Sequence, residues 1–264
     1  RGGIIAIGGR PGFGKSRLLQ ELGPVGREHG VDVHVGEAQE DGAPYAPYVE
    51  ILDRVIDDLA ASHPQEVQKL LGREAPVLGR YLSSIERLGT GARPQAAGKL
   101  DPTEEKLRFI KAVEAFLSRL ALIRPRIICI DDLHLADELT LELTQHLAKT
   151  LVPLSVESKK GKGAPISLVV TIDSTRKDRK NARRLVSKLK KLDSFRSFEL
   201  KALSPDEVRE MMVTMIGGGD VAAPVGAALH EKTSGVPAAV EERIRGWAQS
   251  GELLKQGREW VLLK

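Results

Sequence analysis

Cysteine is almost absent from this 264-residue sequence: Cys129 stands alone, so no intrachain disulfide can form and nothing favours secretion. Aromatic residues make up only 4% of the chain, too few for a β-sandwich core or for a platform that stacks single-stranded bases. No apolar run approaches the roughly 20 residues that cross a bilayer, and no signal peptide opens the chain. His and Cys do not cluster at metal-ligand spacing, and no G-x-S-x-G nucleophile turn is present. Neither sign of charge dominates: 40 Lys and Arg stand against 36 Asp and Glu, a net charge of +4, which is weak support for a nucleic-acid partner. These absences lead us to expect a globular cytoplasmic chain with no membrane partner. Because Arg1 rather than Met opens the sequence and a core strand follows at once, it reads as a domain of a longer polypeptide.

What is present is a β–α alternation of a size that fits one large α/β domain or two smaller ones. Ile4, Ile5, Ala6 and Ile7 form a short apolar run between glycines, as in a strand buried on both faces. A helix is predicted over residues 16–29, with Leu18, Leu19, Leu22 and Val25 on its apolar stripe and Pro24 expected to kink or shorten it. Val31, Val33 and Val35 alternate with polar residues in a second strand. Helical spacing follows over 48–59 and 65–71, and a Gly/Ala/Pro-rich loop over 89–99. Asp101, Pro102 and Glu104 start a helix that runs to about residue 122. Strands are expected at 127–130, 166–172 and 198–203, a helix at 138–151 and a polar linker at 158–163. Ser204, Pro205 and Glu207 begin a helical appendix, with further helices at 220–233 and 237–250.

Gly9-Arg10-Pro11-Gly12-Phe13-Gly14-Lys15-Ser16 satisfies G-x-x-x-x-G-K-[ST] between the first strand and the first helix. Glycines let the backbone turn so that successive N–H groups converge on a phosphate, and the helix N-terminus adds positive potential. Lys15 supplies a cation for the β- and γ-phosphates, and Ser16 a hydroxyl for Mg²⁺. These eight residues, with Arg17 beside them, are the candidate nucleotide-binding set, and ATP or ADP with Mg²⁺ the expected cofactors.

A phosphate loop needs an acidic partner at the end of another buried strand. Ile127-Ile128-Cys129-Ile130 carries Asp131 and Asp132 directly after it. Asp131 is the candidate Mg²⁺ residue, acting through water, and Asp132 the candidate to orient the attacking water. An aspartate there reaches less far than a glutamate, which predicts slow turnover. Asp137 is better placed than either to cap the helix that follows.

Asp131-Asp132-Leu133-His134-Leu135-Ala136-Asp137 resembles the DDLHWAD signature of the STAND class of AAA+-related signalling ATPases, with Leu135 at the family's tryptophan. Those modules occur in MalT/LuxR-type regulators and fused to adenylate cyclases or serine/threonine kinases. Residues 36–52, residues 101–120 and the Gly235-Val236-Pro237 motif resemble further pieces of the family in order. The resemblance implies a P-loop NTPase (RecA/AAA+-like) α/β fold, a parallel sheet with helices on both faces. It divides the chain into a core over 1–203, a helical lid over 204–250 and the start of a winged helix over 251–264. It places Pro237 near adenine and makes Arg176 the candidate γ-phosphate sensor, later in the sequence than the family's usual position. It implies a slow ATPase that acts as a nucleotide switch, partnered by effector or sensor domains of the same polypeptide and by nucleotide-dependent self-association.

Other features leave alternatives open. Residues 176–191 hold nine Lys/Arg and one acid, a surface for nucleic acid, for an acidic partner, or simply for solvent. His134 suits a water-positioning role or a packed one, and Tyr45 and Tyr48 suit a nucleotide cleft or a core. Cys129 reads as an inert buried thiol. Two other functions compete: an origin-recognition-like ATPase that loads on DNA, and a small-molecule kinase, which the scarcity of arginines in the appendix disfavours.

Overall fold

The computed structural model describes residues 2–89, 101–157, 165–176, 178–217, 220–221, 223–256 and 259–262. The loop expected at 89–99 falls, apart from Gly89, outside the described residues, as does the linker at 158–163. The chain forms two compact units, one of Arg1–Ile7 with Ser16–Phe198, the other of Gly8–Lys15 with Glu199–Lys264.

In chain order the first elements are β1 (Ile4–Gly9), α1 (Lys15–Glu28), β2 (Asp32–Glu37), α2 (Ala46–Ser62), α3 (Pro64–Leu71), α4 (Ala75–Leu78), α5 (Ser83–Arg87), α6 (Pro102–Ile123) and β3 (Arg126–Asp131). Then come α7 (Glu138–Glu157), β4 (Ile166–Asp173), α8 (Lys180–Leu189) and β5 (Phe195–Glu199). The five strands make a parallel sheet in the order β2-β3-β4-β1-β5, flanked by helices, the fold of a P-loop NTPase. β2 therefore lies at the edge, and β4 separates β1 from β3. Helix α2 packs on β2 and α7 on β4, while α6 and α8 each pack against α7. β1, β3 and β4 are almost wholly buried, as expected for strands covered on both faces.

The core of the larger unit gathers Ile4, Ile128, Ile130 and Val170 from the sheet with Leu52, Ile56, Phe116 and Leu147 from the helices. Tyr45 and Tyr48 belong to it, each 1% exposed: the ring of Tyr45 packs on Tyr81 and Phe109, and the Tyr48 hydroxyl bonds Thr144 Oγ1 at 2.8 Å. The core alternative holds for both tyrosines.

Three expectations need correction. Helix α1 runs through Pro24 to Glu28, and Leu18 and Val25 are exposed. Its buried side carries Leu19 and Gly26, one residue and so about 100° further round the helix. The strand expected at 198–203 is β5, three residues earlier; only Phe195 in it is buried, so no alternation marks it. The helix expected from residue 220 begins at Ala223, after a two-residue strand.

In the smaller unit the elements are α9 (Pro205–Met215), β6 (Asp220–Val221), α10 (Ala223–Thr233), α11 (Pro237–Ser250), β7 (Leu253–Gln256) and β8 (Glu259–Leu262). Ser204 and Glu207 form a reciprocal capping box at the start of α9. The three strands pair in the order β6-β8-β7, and Val208, Met212, Leu229, Val240, Ile244 and Trp247 fill a separate core. No described helix is long and apolar enough to cross a membrane.

Candidate functional site

The loop between β1 and α1 owes its shape to its glycines. Gly12 and Gly14 have φ of +79° and +85°, in the left-handed region where a side chain is strained. Phe13 N–H closes a turn on Arg10 O at 3.3 Å. Lys15 is buried, 7% exposed, and its Nζ donates to Gly9 O at 3.0 Å and Arg10 O at 3.2 Å. The ammonium thus sits inside its own loop, held by two carbonyl dipoles. Arg10, Pro11 and Gly12 are exposed, Phe13 and Gly14 half-buried, and Ser16 exposed. Arg17, counted in the nucleotide set from sequence, is turned along the helix surface to Glu21, 2.5 Å away.

Within the same compact unit this loop is tied at two points to the chain's C-terminal part. Gly8 O accepts from Leu200 N at 2.9 Å, and Gly12 O accepts from Ala238 N at 3.1 Å. Ala238 is the second residue of α11, behind Pro237, so its N–H has no partner within the helix and is available to the loop. Gly235, with φ of +68°, makes this approach possible: a Cβ there would lie 2.1 Å from Leu203 O. Leu203 N donates to Gly235 O at 2.8 Å, which pins the turn ahead of α11. Pro237 is therefore placed one residue from a direct hydrogen bond to the loop between β1 and α1.

In the larger unit, Asp131 closes β3 and is 6% exposed. Its Oδ1 accepts from the Thr171 hydroxyl and from Asp132 N at 3.1 Å, while Asp132 N also donates to Thr171 Oγ1 at 2.8 Å. Asp131 Oδ2 has no partner among the described residues. Asp132 turns into the left-handed region, φ +50°, and its side chain is 30% exposed. His134, 8% exposed, accepts at Nδ1 from Asp173 N at 3.3 Å, and Asp132 Oδ1 lies 3.7 Å from the same nitrogen. Asp173 in turn accepts from Thr175 N at 2.8 Å and Thr175 Oγ1 at 2.6 Å. Asp137 accepts from Thr140 N at 3.0 Å and so caps α7, leaving the two preceding aspartates for other work.

Arg176 is engaged in a two-pronged pair with Asp178, both contacts at 3.1 Å. That partner raises its already high pKa, so the guanidinium is a permanent cation with its fork in use. Cys129, mid-strand and fully buried, has its thiol pushed up to about 12, by burial first and then by the charge of Asp131.

Thr171 and Asp173 escaped the sequence reading. Their signal is legible in retrospect: polar residues interrupting the apolar run Leu168-Val169-Val170 at the carboxyl end of a buried strand. As ligands, the Ser16 hydroxyl and the Asp131 carboxylate are oxygen donors of the kind Mg²⁺ takes, and one or two protein ligands suffice when phosphates complete the shell.

No curated protein matches this sequence. Among solved structures, similarity is found to a Walker-type ATPase of Pyrococcus abyssi, with 13% identity and a TM-score of 0.48 over 94% of this chain and 63% of that one. Similarity is also found to the ORC2 protein of Aeropyrum pernix. Its ADPNP-ADP complexes give 14% identity and a TM-score of 0.49 over 95% of this chain and 58% of that one. Its ADP form gives 16% and 0.45 over 95% and 59%. The chain thus spans about three-fifths of the length of these proteins. The family description "AAA ATPase domain" matches residues 1–156, more than half of the 264, and the chain belongs to that family.

Proposed function

We propose that this chain is a Mg²⁺-dependent ATP-binding module that hydrolyses ATP slowly and works as a nucleotide switch inside a larger regulatory protein. The observation that carries the reading is the buried Lys15 ammonium, held by Gly9 O and Arg10 O inside a glycine-turned loop. Such a cation costs desolvation energy, which an anionic ligand at the same loop offsets.

Each residue has a role in this reading. Residues 9–14 offer backbone N–H groups to the phosphates, and Lys15 exchanges its carbonyl partners for β- and γ-phosphate oxygens. Ser16 and Asp131 would hold Mg²⁺, Asp131 through a water on Oδ2, the oxygen that Thr171 leaves unengaged. When bound, the metal neutralises charge on the triphosphate. Asp132 orients the attacking water, and Thr171 positions both aspartates through its single hydroxyl. A carboxylate on so short a side chain reaches an attacking water less well than a glutamate would, which supports slow turnover. Arg176 would sense a γ-phosphate with the guanidinium edge that Asp178 leaves, or by exchanging Asp178 for the phosphate.

The switch reading is supported by the Ala238–Gly12 hydrogen bond. A loop whose carbonyl is bonded to the first turn of α11 passes any rearrangement of its peptides to Pro237 and to the segment behind it. The fused domains, the STAND-type class and self-association belong to the same proposal.

The test is equilibrium binding of a fluorescent ATP analogue together with steady-state turnover. Lys15→Ala should weaken binding by at least tenfold, and Asp132→Asn should bind as the parent does and turn over more slowly. A Lys15→Ala protein that binds as tightly as the parent overturns the phosphate-loop assignment. An Asp132→Asn protein with undiminished turnover removes Asp132 from the chemistry.

A further inference from the structure

Helix α8 carries an unbroken cationic stripe that the nucleotide site does not use. Residues 179–192 contain seven Lys/Arg and no acid. Ala182, Leu185, Val186 and Leu189 are buried against the larger unit, while Lys180, Arg183, Arg184, Ser187 and Lys188 are exposed. Lys190 and Lys191, also exposed, follow the last helical residue. At about 100° per residue these exposed positions fall within an arc of roughly 160°, along a helix about 15 Å long.

Among the described residues no acid makes an ion pair with a member of the stripe, and Glu138 is a neighbouring carboxylate without another partner near it. Asp178 pairs with Arg176 and, at 3.5 Å, with Arg179, which is also paired with Glu40, so both basic residues are set apart from the stripe. From α7, Glu138 and Glu142 reach a small cleft of about 150 Å³ beside Arg184 and Lys188, but Glu142 is paired with Lys106 at 2.7 Å. Lys188 donates to the neutral Gln145 at 3.0 Å.

The arrangement also works against the helix. Lys180 and Arg183 stand in the first turn, where the dipole favours acids, and no acid is there. Lys180–Arg183, Lys180–Arg184 and Arg184–Lys188 are like-charge neighbours at i,i+3 and i,i+4, each unfavourable. A stripe built at a cost to its own helix fits an anionic partner better than it fits solvent alone.

We infer that α8 is a docking surface for the phosphate backbone of a nucleic-acid duplex, read without sequence preference. A folded acidic protein would call for an apolar centre in the interface, and the stripe has none: its uncharged members are Asn181 and Ser187, short groups that bond phosphates well. A single strand would call for aromatic platforms, and none lies between residues 176 and 191. Contacts to the backbone alone give affinity through counterion release, and four to six of them predict a slope of log K against log salt of about −4 to −5 on duplex DNA.

The experiment is fluorescence anisotropy with the full chain, using 20-base-pair duplexes of two unrelated sequences, as DNA and as RNA, across salt concentrations. The variant Arg183→Gln/Arg184→Gln/Lys190→Gln keeps good helix formers at exposed positions and leaves the phosphate loop and aspartates intact, so its ATP binding should match the parent's. Binding of both DNA sequences with equal affinity, weakened at least tenfold in the variant with a slope shallower by about 3, supports the inference. Equal losses on duplex RNA support it as well and name the shared backbone as the ligand. No binding at low salt, a variant that binds as the parent does, or displacement of duplex by an equal charge concentration of poly-glutamate overturns it.

Discussion

Thr171→Val removes one hydroxyl from the fully buried junction between β3 and β4 and keeps the side chain's shape. The lost group donates to Asp131 and accepts from Asp132 N at 2.8 Å. A hydrogen bond to a carboxylate contributes about 1.5–3 kcal/mol, whereas Asp132 N retains its 3.1 Å bond to Asp131. The expected destabilisation is therefore about 2 kcal/mol, seen as a lower midpoint in urea unfolding followed by circular dichroism. The larger consequence is for chemistry. Asp132 holds a left-handed conformation that costs a non-glycine residue about 1 kcal/mol, and the Thr171 bond is part of what keeps it there. Without it, ATP turnover should fall about tenfold, the equivalent of 1.4 kcal/mol, while ATP binding changes less than threefold. Thr171→Ser, which restores the hydroxyl, should recover most of the rate. A Val variant that unfolds within 0.5 kcal/mol of the parent and turns over at the parent's rate would refute the assignment of Thr171 as the positioning residue.

Three further outcomes follow from the geometry. His34 accepts at Nε2 from Arg126 at 2.8 Å, and burial, then the Arg126 charge, lowers its pKa from 6.5 to about 4. Between those values the unfolded chain binds more protons than the folded one, so stability is lost as pH falls from 6.5 to 4, by up to about 3 kcal/mol. His34→Gln should flatten that part of the stability–pH curve, and an unchanged slope would count against it. Gly235→Ala forces a Cβ to within 2.1 Å of Leu203 O at a φ of +68°, which should cost about 3 kcal/mol or more and loosen the α11 contact with Gly12; a melting temperature within 1 °C of the parent's, with undiminished ATP binding, would contradict it. Cys129, buried and with its thiol pushed up to about 12, should react with a disulfide reagent only after unfolding in urea, and rapid native labelling would show that β3 opens.

How far the sequence discloses this molecule depends on the range of the interactions that fix each part. The phosphate loop is local: Gly12, Gly14 and Lys15 specify their own turn, and the structure keeps it between β1 and α1. Asp131 is nearly as local, because four apolar residues before it demand a buried strand that it must end. β5 lay three residues from its expected place, since an edge strand with four exposed residues writes no period into the sequence. The tie between Gly12 and Ala238 and the clasp on Asp131 are not legible at all, because each joins residues far apart in the chain. Thr171 shows why. The parallel register that pairs Ile130 with Val170 sets the next residues, Asp131 and Thr171, side by side. A slip of one position would bring Ile172 there instead, and the carboxylate would lose its hydroxyl partner to a methyl group. Nothing near Thr171 in the sequence chooses between those registers; the burial of Leu168 and Val170 in the shared core does. The placement of the two aspartates is thus set by packing, and on the proposed reading a substitution that shifts β4 against β3 should abolish ATP turnover, measured at steady state, without touching a residue of the candidate site.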